Sequence, residues 1–315
     1  MTYGSVVGQS NKNVAFEALY EIIQDIGRRP YQPIGSASYM AACEEKSTKH
    51  IFAVKVLQKK VKLREVFESD ICLHLVLHLV EGEQLFERLV TSPTYNEQFV
   101  VNYFRQMCEG LRCLHEYEIV HKNLKPENIL LSSRAQDATI KISDASLSTF
   151  FTEDVDVELV CCNPIFCAPE LLTSRKFDKA YDLWSLGILL YIMLSGCDPY
   201  YPKSNGDLYR AILTGDIQFP GNLWDGISRT GRDVVKRLLV LDANQRHTTA
   251  QLLKHTWLTD DHILGVNLAA TQKRLEEFRL RRQEMNNRVS EKKSNKPSVP
   301  GAKTSCDEKP VPYNM

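Results

Sequence analysis

Along the 315-residue chain the pattern of apolar positions changes three times. Residues 1 to about 15 are polar and without period, as in a loose N-terminal arm. From Leu19 to Val80 the apolar runs are short. Ile51-Phe52-Ala53-Val54-Lys55-Val56-Leu57 and Leu73-His74-Leu75-Val76-Leu77 predict strands, and together a small antiparallel sheet. After Gly82 the period becomes helical: Phe99, Val100, Tyr103, Phe104, Met107, Leu111 and Leu114 form a stripe near 3.6 residues across Asn96 to His115. The stretch Asp182 to Ser195 is apolar nearly all round, which predicts a central buried helix. Beyond Leu258 the chain is charged and helical to about Arg288, then rich in Lys, Ser and Pro, the composition of a disordered segment. No internal repeat is visible.

Charge narrows the function classes. Lys plus Arg and Asp plus Glu balance at 39 each, so no global basic field speaks for nucleic acid or an anionic membrane surface as partner. Any phosphate binding must be local. Met1 to Gln9 carries no basic region followed by an apolar core, and the most apolar run, Ile71 to Val80, is interrupted by His74 and His78. The expectation is an intracellular protein, cytoplasmic, nuclear or both. Nine cysteines without framework spacing predict reduced thiols, and the cluster Cys161, Cys162 and Cys167 lacks a second ligand pair for zinc. His74 and His78 share a strand face and read as packed histidines.

The chemistry is concentrated in motifs that follow in a fixed order: Ala53-Val54-Lys55, His121-Lys122-Asn123-Leu124-Lys125-Pro126-Glu127-Asn128, Asp144-Ala145-Ser146, Ala168-Pro169-Glu170, Asp182-Leu183-Trp184-Ser185-Leu186-Gly187 and a late Arg246. On these, the chain from about Tyr20 to Leu258 resembles a serine/threonine protein kinase domain of the calcium/calmodulin-dependent group. The texture of Val80 to Leu89 and of Leu186 to Gly196 is similar to that group, and also to the C-terminal kinase domains of ribosomal S6 and mitogen- and stress-activated kinases. The resemblance implies an α+β, bilobal fold. A flexible arm (1–19) precedes a kinase-like domain (20–258) with a small β-rich N-lobe (20–80) and a mainly α C-lobe (81–258). An amphipathic, regulatory-type helix (259–290) and a disordered tail (291–315) follow.

The resemblance also implies ATP and Mg²⁺ as cofactors. Lys55 would meet the α- and β-phosphates, Asn128 and Asp144 would hold magnesium, and Lys125 would meet the transferred phosphate. Gly27 and Gly35 are the candidate glycines of the phosphate loop. Ala53 and Leu130 would sandwich the adenine, Val80 would offer a backbone hydrogen bond to it, and Glu170 would pair with Arg246.

Catalytic parts depart from that pattern. Asn123 stands where the family has the aspartate that accepts the substrate's proton, and an amide has no proton affinity near neutral pH. Arg29-Pro30-Tyr31-Gln32-Pro33-Ile34 lies between the two glycines, where bare backbone N–H groups are needed. Lys55 and Leu77 are too close in sequence to accommodate helix αC with its glutamate. Ala145 replaces a packing phenylalanine, and Leu159 stands where an activating threonine is usual. The expectation is a pseudokinase or severely impaired kinase that binds Mg-ATP weakly and acts as a binding or regulatory module; the alternative is an active ATP-dependent serine/threonine kinase in intracellular signalling. Its protein partner or substrate is not legible. Thr271 to Arg282 resembles the autoinhibitory helix of calmodulin kinases, with Phe278, Leu280, Met285 and Val289 as apolar anchors. For Thr271 to Val289, calmodulin binding stands beside a helix packed on the domain.

Overall fold

The computed structural model describes residues 19–24, 38–58, 72–77, 79–143, 164–174, 177–200, 204–260 and 266–294. Strands β1 (Tyr20–Gln24), β2 (Ser38–Glu45), β3 (Ile51–Gln58) and β4 (Cys72–Leu77) form one antiparallel sheet in sequence order. The alternating, β-branched texture of Ile51 to Leu57 makes β3 a central strand. Its register sets Lys55 opposite Met40 on β2 and Leu75 on β4, and Ala53 opposite Leu77. Residues 25–37, with Gly27 and Gly35, lie outside the described residues, as do His78 and the segment 59–71 that joins β3 to β4, where helix αC was expected to be missing.

The rest is helical and built around two elements. Helix α1 (Leu85–Thr91) leads to α2 (Glu97–Glu116), whose stripe buries Val100, Tyr103, Phe104, Met107 and Leu111 as the 3.6 period requires. The Asn96 side chain caps α2 by accepting from Phe99 N. Glu97, also buried, accepts from the Ser228 backbone N–H at 2.9 Å and from the Trp257 indole at 2.5 Å. After a 3₁₀ turn (Pro126–Asn128), β5 (Ile129–Leu131) and β6 (Ile140–Ile142) form a two-stranded ribbon against α2. A 3₁₀ turn (Pro164–Phe166) and α3 (Pro169–Ser174) precede α4 (Lys179–Ser195), in which every residue from Tyr181 to Ser195 is buried. Being apolar all round, α4 has no solvent face, and the lobe is assembled about it.

Helices α5 (Asn205–Thr214), α6 (Gly221–Trp224), α7 (Arg229–Leu238), α8 (Thr249–Leu252) and α9 (Thr256–Thr259) complete the lobe. The last helix, α10 (Ala269–Ser294), packs against α1 and α4. It begins ten residues after the end of α9 and continues past Arg288 to Ser294, because Glu291, Lys292 and Lys293 retain good helix propensity. Among the described residues no helix is long and apolar enough to cross a membrane.

Candidate functional site

A small sheet followed by a helical lobe places residues 79–84 between the two, and backbone pairing fixes that segment. Leu131 N–H donates to Glu83 O at 2.9 Å, and Gln84 bridges to Leu130. Gly82 is required for this approach, since a Cβ there would stand 2.0 Å from Leu131 O. Arg88 pairs with Glu83 at 2.6 Å and donates to the carbonyls of Ala135 and Arg134 at 3.0 Å, tying α1 to the loop of the β5–β6 ribbon. Val80 and Leu130, the expected adenine neighbours, therefore sit on adjoining, partly buried backbone. For Ala53 and Lys55 the description extends to the strand register alone, and Gly27, Gly35 and Asp144 lie outside the described residues.

The loop 121–128 is held by a network of buried and partly buried hydrogen bonds. Asp182, fully buried in the first turn of α4, accepts from His121 N at 2.7 Å, Lys122 N at 2.8 Å and His115 Nε2 at 2.9 Å. One carboxylate thus holds the loop to the lobe's central helix through charge-assisted bonds. His121 is itself buried: its Nδ1 accepts from Asn123 N at 3.2 Å while its Nε2 faces Ser143 O at 2.9 Å. A backbone N–H can only donate and a carbonyl can only accept, so the ring is the neutral Nε2–H tautomer. It spaces the loop from the residues that precede Asp144.

At Asn123 this scaffold supports an amide. The Asn123 backbone carbonyl accepts from Asn128 Nδ2 at 2.8 Å, closing the loop upon itself, and Lys125 occupies the N-cap position of the 3₁₀ turn that follows without a side-chain cap. Asn128 is fully buried, and its Oδ1 has no hydrogen-bond partner among the described residues. An orphaned amide oxygen beside the expected magnesium position suits a hard cation, which prefers oxygen donors. Mg²⁺, held there by Asn128 and, from the resemblance, Asp144, would supply charge neutralisation for ATP phosphates. No group of three or more His, Cys, Asp or Glu side chains among the described residues is placed to hold a metal. Lys122 adopts φ 64°, is half-buried, and lies 5.4 Å above the centre of the Phe177 ring; burial lowers its pKa, against the pull of Asp182.

The expected Glu170–Arg246 pair forms, bidentate at 2.6 and 2.7 Å, with the Arg246 side chain fully buried. Arg246 also donates to the carbonyls of Ala180 and Val240 and lies 4.9 Å over the Trp184 ring. Its donors are satisfied, which is the condition for a buried ion pair to hold.

Two pairings were not anticipated. Arg282 of α10 meets Glu127, within the catalytic-type loop, at 2.5 and 2.8 Å, and stacks 5.2 Å over the Phe166 ring. Burial alone would raise the Glu127 carboxyl, but the Arg282 charge and hydrogen bonds, with Lys125, outweigh it and hold it at about 2. Arg279, one turn earlier, reaches Glu87 of α1 at 3.4 Å. A small crevice of about 30 Å³ remains between α10 and the lobe, bounded by Gln84, Phe86, Pro126, Phe278 and Gln283. The sequence carried one signal for this contact: Arg279 and Arg282 share a helix face three residues apart. Of the expected calmodulin anchors, Phe278 is buried beside Phe86 and Leu280 is 45% exposed, while the side chains of Met285 and Val289 are outside the description.

Residues 59–258 match the family model described as protein kinase domain. Human calcium/calmodulin-dependent protein kinase type IV is 36% identical over 87% of this chain and 61% of its own length. A probable myosin light chain kinase of Dictyostelium discoideum is 35% identical over 79% of this chain and 77% of its own, and myosin light chain kinase A of the same organism is 30% identical over 78% and 90%. The chain spans about three fifths of the length of the type IV kinases it matches.

Proposed function

We propose, since this chain belongs to the protein kinase family and within it to the calcium/calmodulin-dependent serine/threonine group, that it works as a kinase-shaped binding module with little or no phosphotransfer. The observation that carries the reading is Asn123, whose backbone N–H and C=O are held by His121 and Asn128 in the loop and whose side chain is an amide where the family has a carboxylate. It can orient a hydroxyl but cannot remove its proton. Loss of a general base costs typically ~10²–10⁴-fold, which an enzyme relying on positioning could survive. Positioning supplies ~7–11 kcal/mol, and here the sequence of the phosphate loop, the short interval between Lys55 and Leu77 and Ala145 all weigh against it. Adenine contacts at Ala53, Val80 and Leu130, with Lys55, Asn128 and Asp144, support weak binding of Mg-ATP.

The tail adds a second layer. With Arg282 on Glu127 and Arg279 on Glu87, α10 covers part of the face beside the catalytic-type loop. Calmodulin is the candidate that would draw this helix away, because the similar type IV kinases are named calcium/calmodulin-dependent. The test is peptide phosphorylation and ATP turnover by the purified full chain, beside titration of Mg-ATP and calcium-loaded calmodulin. Binding without turnover supports the module. The orphaned Asn128 Oδ1 favours a second reading, a slow but authentic kinase, which measurable turnover abolished by Asn128→Ala would establish.

A further inference from the structure

Resting on the reading that α10 covers the face beside Glu127, we infer that this helix is two devices in one element: a fixed cap of the C-lobe up to Phe278 and, from Arg279 onward, an ion-paired latch released by charge competition while the cap stays docked.

The proximal half is bound by apolar burial and by backbone satisfaction. Leu268 N–H donates to Tyr95 O at 2.7 Å as the chain enters the helix. Thr271, Leu275 and Phe278, spaced along one face, are all buried, with Phe278 against Phe86. Gln272 Nε2 lies 2.9, 3.1 and 2.7 Å from the carbonyls of Leu89, Val90 and Ser92, at the C-terminal end of α1. Arg274 Nε donates to Ser195 O at 2.8 Å, at the end of α4. The last carbonyls of a helix have no partner within it. This half of α10 supplies partners to two helix ends at once, so undocking it would orphan both and uncover the apolar face.

Gly196 shows how closely the cap is fitted. It ends α4 with φ 79°, and a Cβ there would lie 2.5 Å from Thr271 O. Backbone meets backbone at that point, which no flexible side chain can relieve.

The distal half is held differently. From Arg279 to Glu284 no apolar side chain is buried, and Leu280 faces solvent. Arg279 meets Glu87 at 3.4 Å with both side chains partly exposed, the class of pair that contributes least. Arg282 and Glu127 are well formed, but they give up hydration to meet, and release returns it. Asp198, after α4, adds a third carboxylate: burial raises it to about 6, against the pull of Arg281 and Arg282. Apart from Arg282 lying over the Phe166 ring, the described attachments of this half are between charged groups, and the boundary falls between Phe278 and Arg279.

Amide hydrogen exchange on the full chain, with and without added salt, tests the division. Added salt at ~1 M, where the screening length is ~3 Å, weakens the partly exposed Arg279–Glu87 pair and competes with the nearly buried Arg282–Glu127 pair only as it opens, so amides from Arg282 to Ser294 should exchange faster by up to about tenfold, as for loss of about 1.4 kcal/mol of holding energy. Those of Leu275 to Phe278 should be unchanged. Arg282→Gln, and independently Glu127→Gln, should reproduce the distal effect at low salt, whereas Leu275→Ala should accelerate exchange along the whole helix. Acceleration spread evenly over α10, or none in the distal half with salt and with both variants, would overturn the division. Fast exchange throughout α10 at low salt would remove the covering helix and the inference with it. Phosphotransfer is not read in this experiment, so its outcome is separable from that of the silent-module reading.

Discussion

Asn123 and Asp182 divide the loop between chemistry and support, and each makes its own prediction. Asn123→Asp restores a base but changes neither the sequence between Gly27 and Gly35, nor the short interval between Lys55 and Leu77, nor Ala145. Turnover should rise by less than about tenfold, short of the ~10²–10⁴ a base contributes where the rest is in place. Steady-state peptide phosphorylation of parent and reversion checks this. Asp182→Asn leaves one oxygen where two served three donors, among them two backbone N–H groups. It should cost about 3 kcal/mol, read by denaturant unfolding, since hydrogen bonds to charged groups contribute about 1.5–3 kcal/mol. Glu127 gives a pH prediction. Its folded carboxyl lies at about 2 against the usual 4.5, so the stability it contributes is present in full above pH 4.5 and is lost as pH falls toward 2. In Arg282→Gln the largest lowering influence is gone and the carboxyl should titrate upward, toward the usual glutamate range, measurable by carbon-detected NMR of the glutamate side chains.

The side-chain ion pair of Glu170 and Arg246 was legible through the resemblance that their motifs carry. The support given by Asp182 was less so: its motif was visible in sequence, but three donors converging from α2 and the loop exist only once the chain is folded. The tautomer of His121 was invisible for the same reason.

Among the elements, periodicity carried α2 and α4 well. A 3.6-residue stripe and an all-apolar helix each have one way to be buried. It carried α10 less well, because Leu275 and Phe278 are sparse in a charged helix and much of its docking comes from Gln272 and Arg274 reaching carbonyls at the ends of α1 and α4. No pattern of apolar residues encodes such a contact. Phe278, weighed both as a calmodulin anchor and as part of a helix packed on the domain, lies against Phe86 of the lobe. Gly196→Ala tests this fit. The left-handed backbone alone costs roughly 1–2 kcal/mol for a residue with a Cβ, and the clash with Thr271 O adds to it, so thermal unfolding should show about 2 kcal/mol or more lost.

At the scale of the whole molecule, the match of residues 59–258 to the protein kinase domain and the similar kinases place the chain in the protein kinase family, while Asn123, Ala145 and the residues between Gly27 and Gly35 depart from the pattern that the resemblance implies. The order of motifs made the two-part architecture readable from sequence, because a strand-rich segment and a helical segment differ in period. Silence cannot be read so directly. It depends on several small losses falling on one chemical step, of which Asn123 is the one whose surroundings are described. The measurement that bears on it most directly is phosphorylation of a serine/threonine peptide by the purified full chain with Mg-ATP, with calcium-loaded calmodulin present and absent. No turnover above background, with or without calmodulin, is the predicted result; turnover at ordinary kinase rates of ~1–100 s⁻¹, abolished by Asp144→Ala, would contradict it.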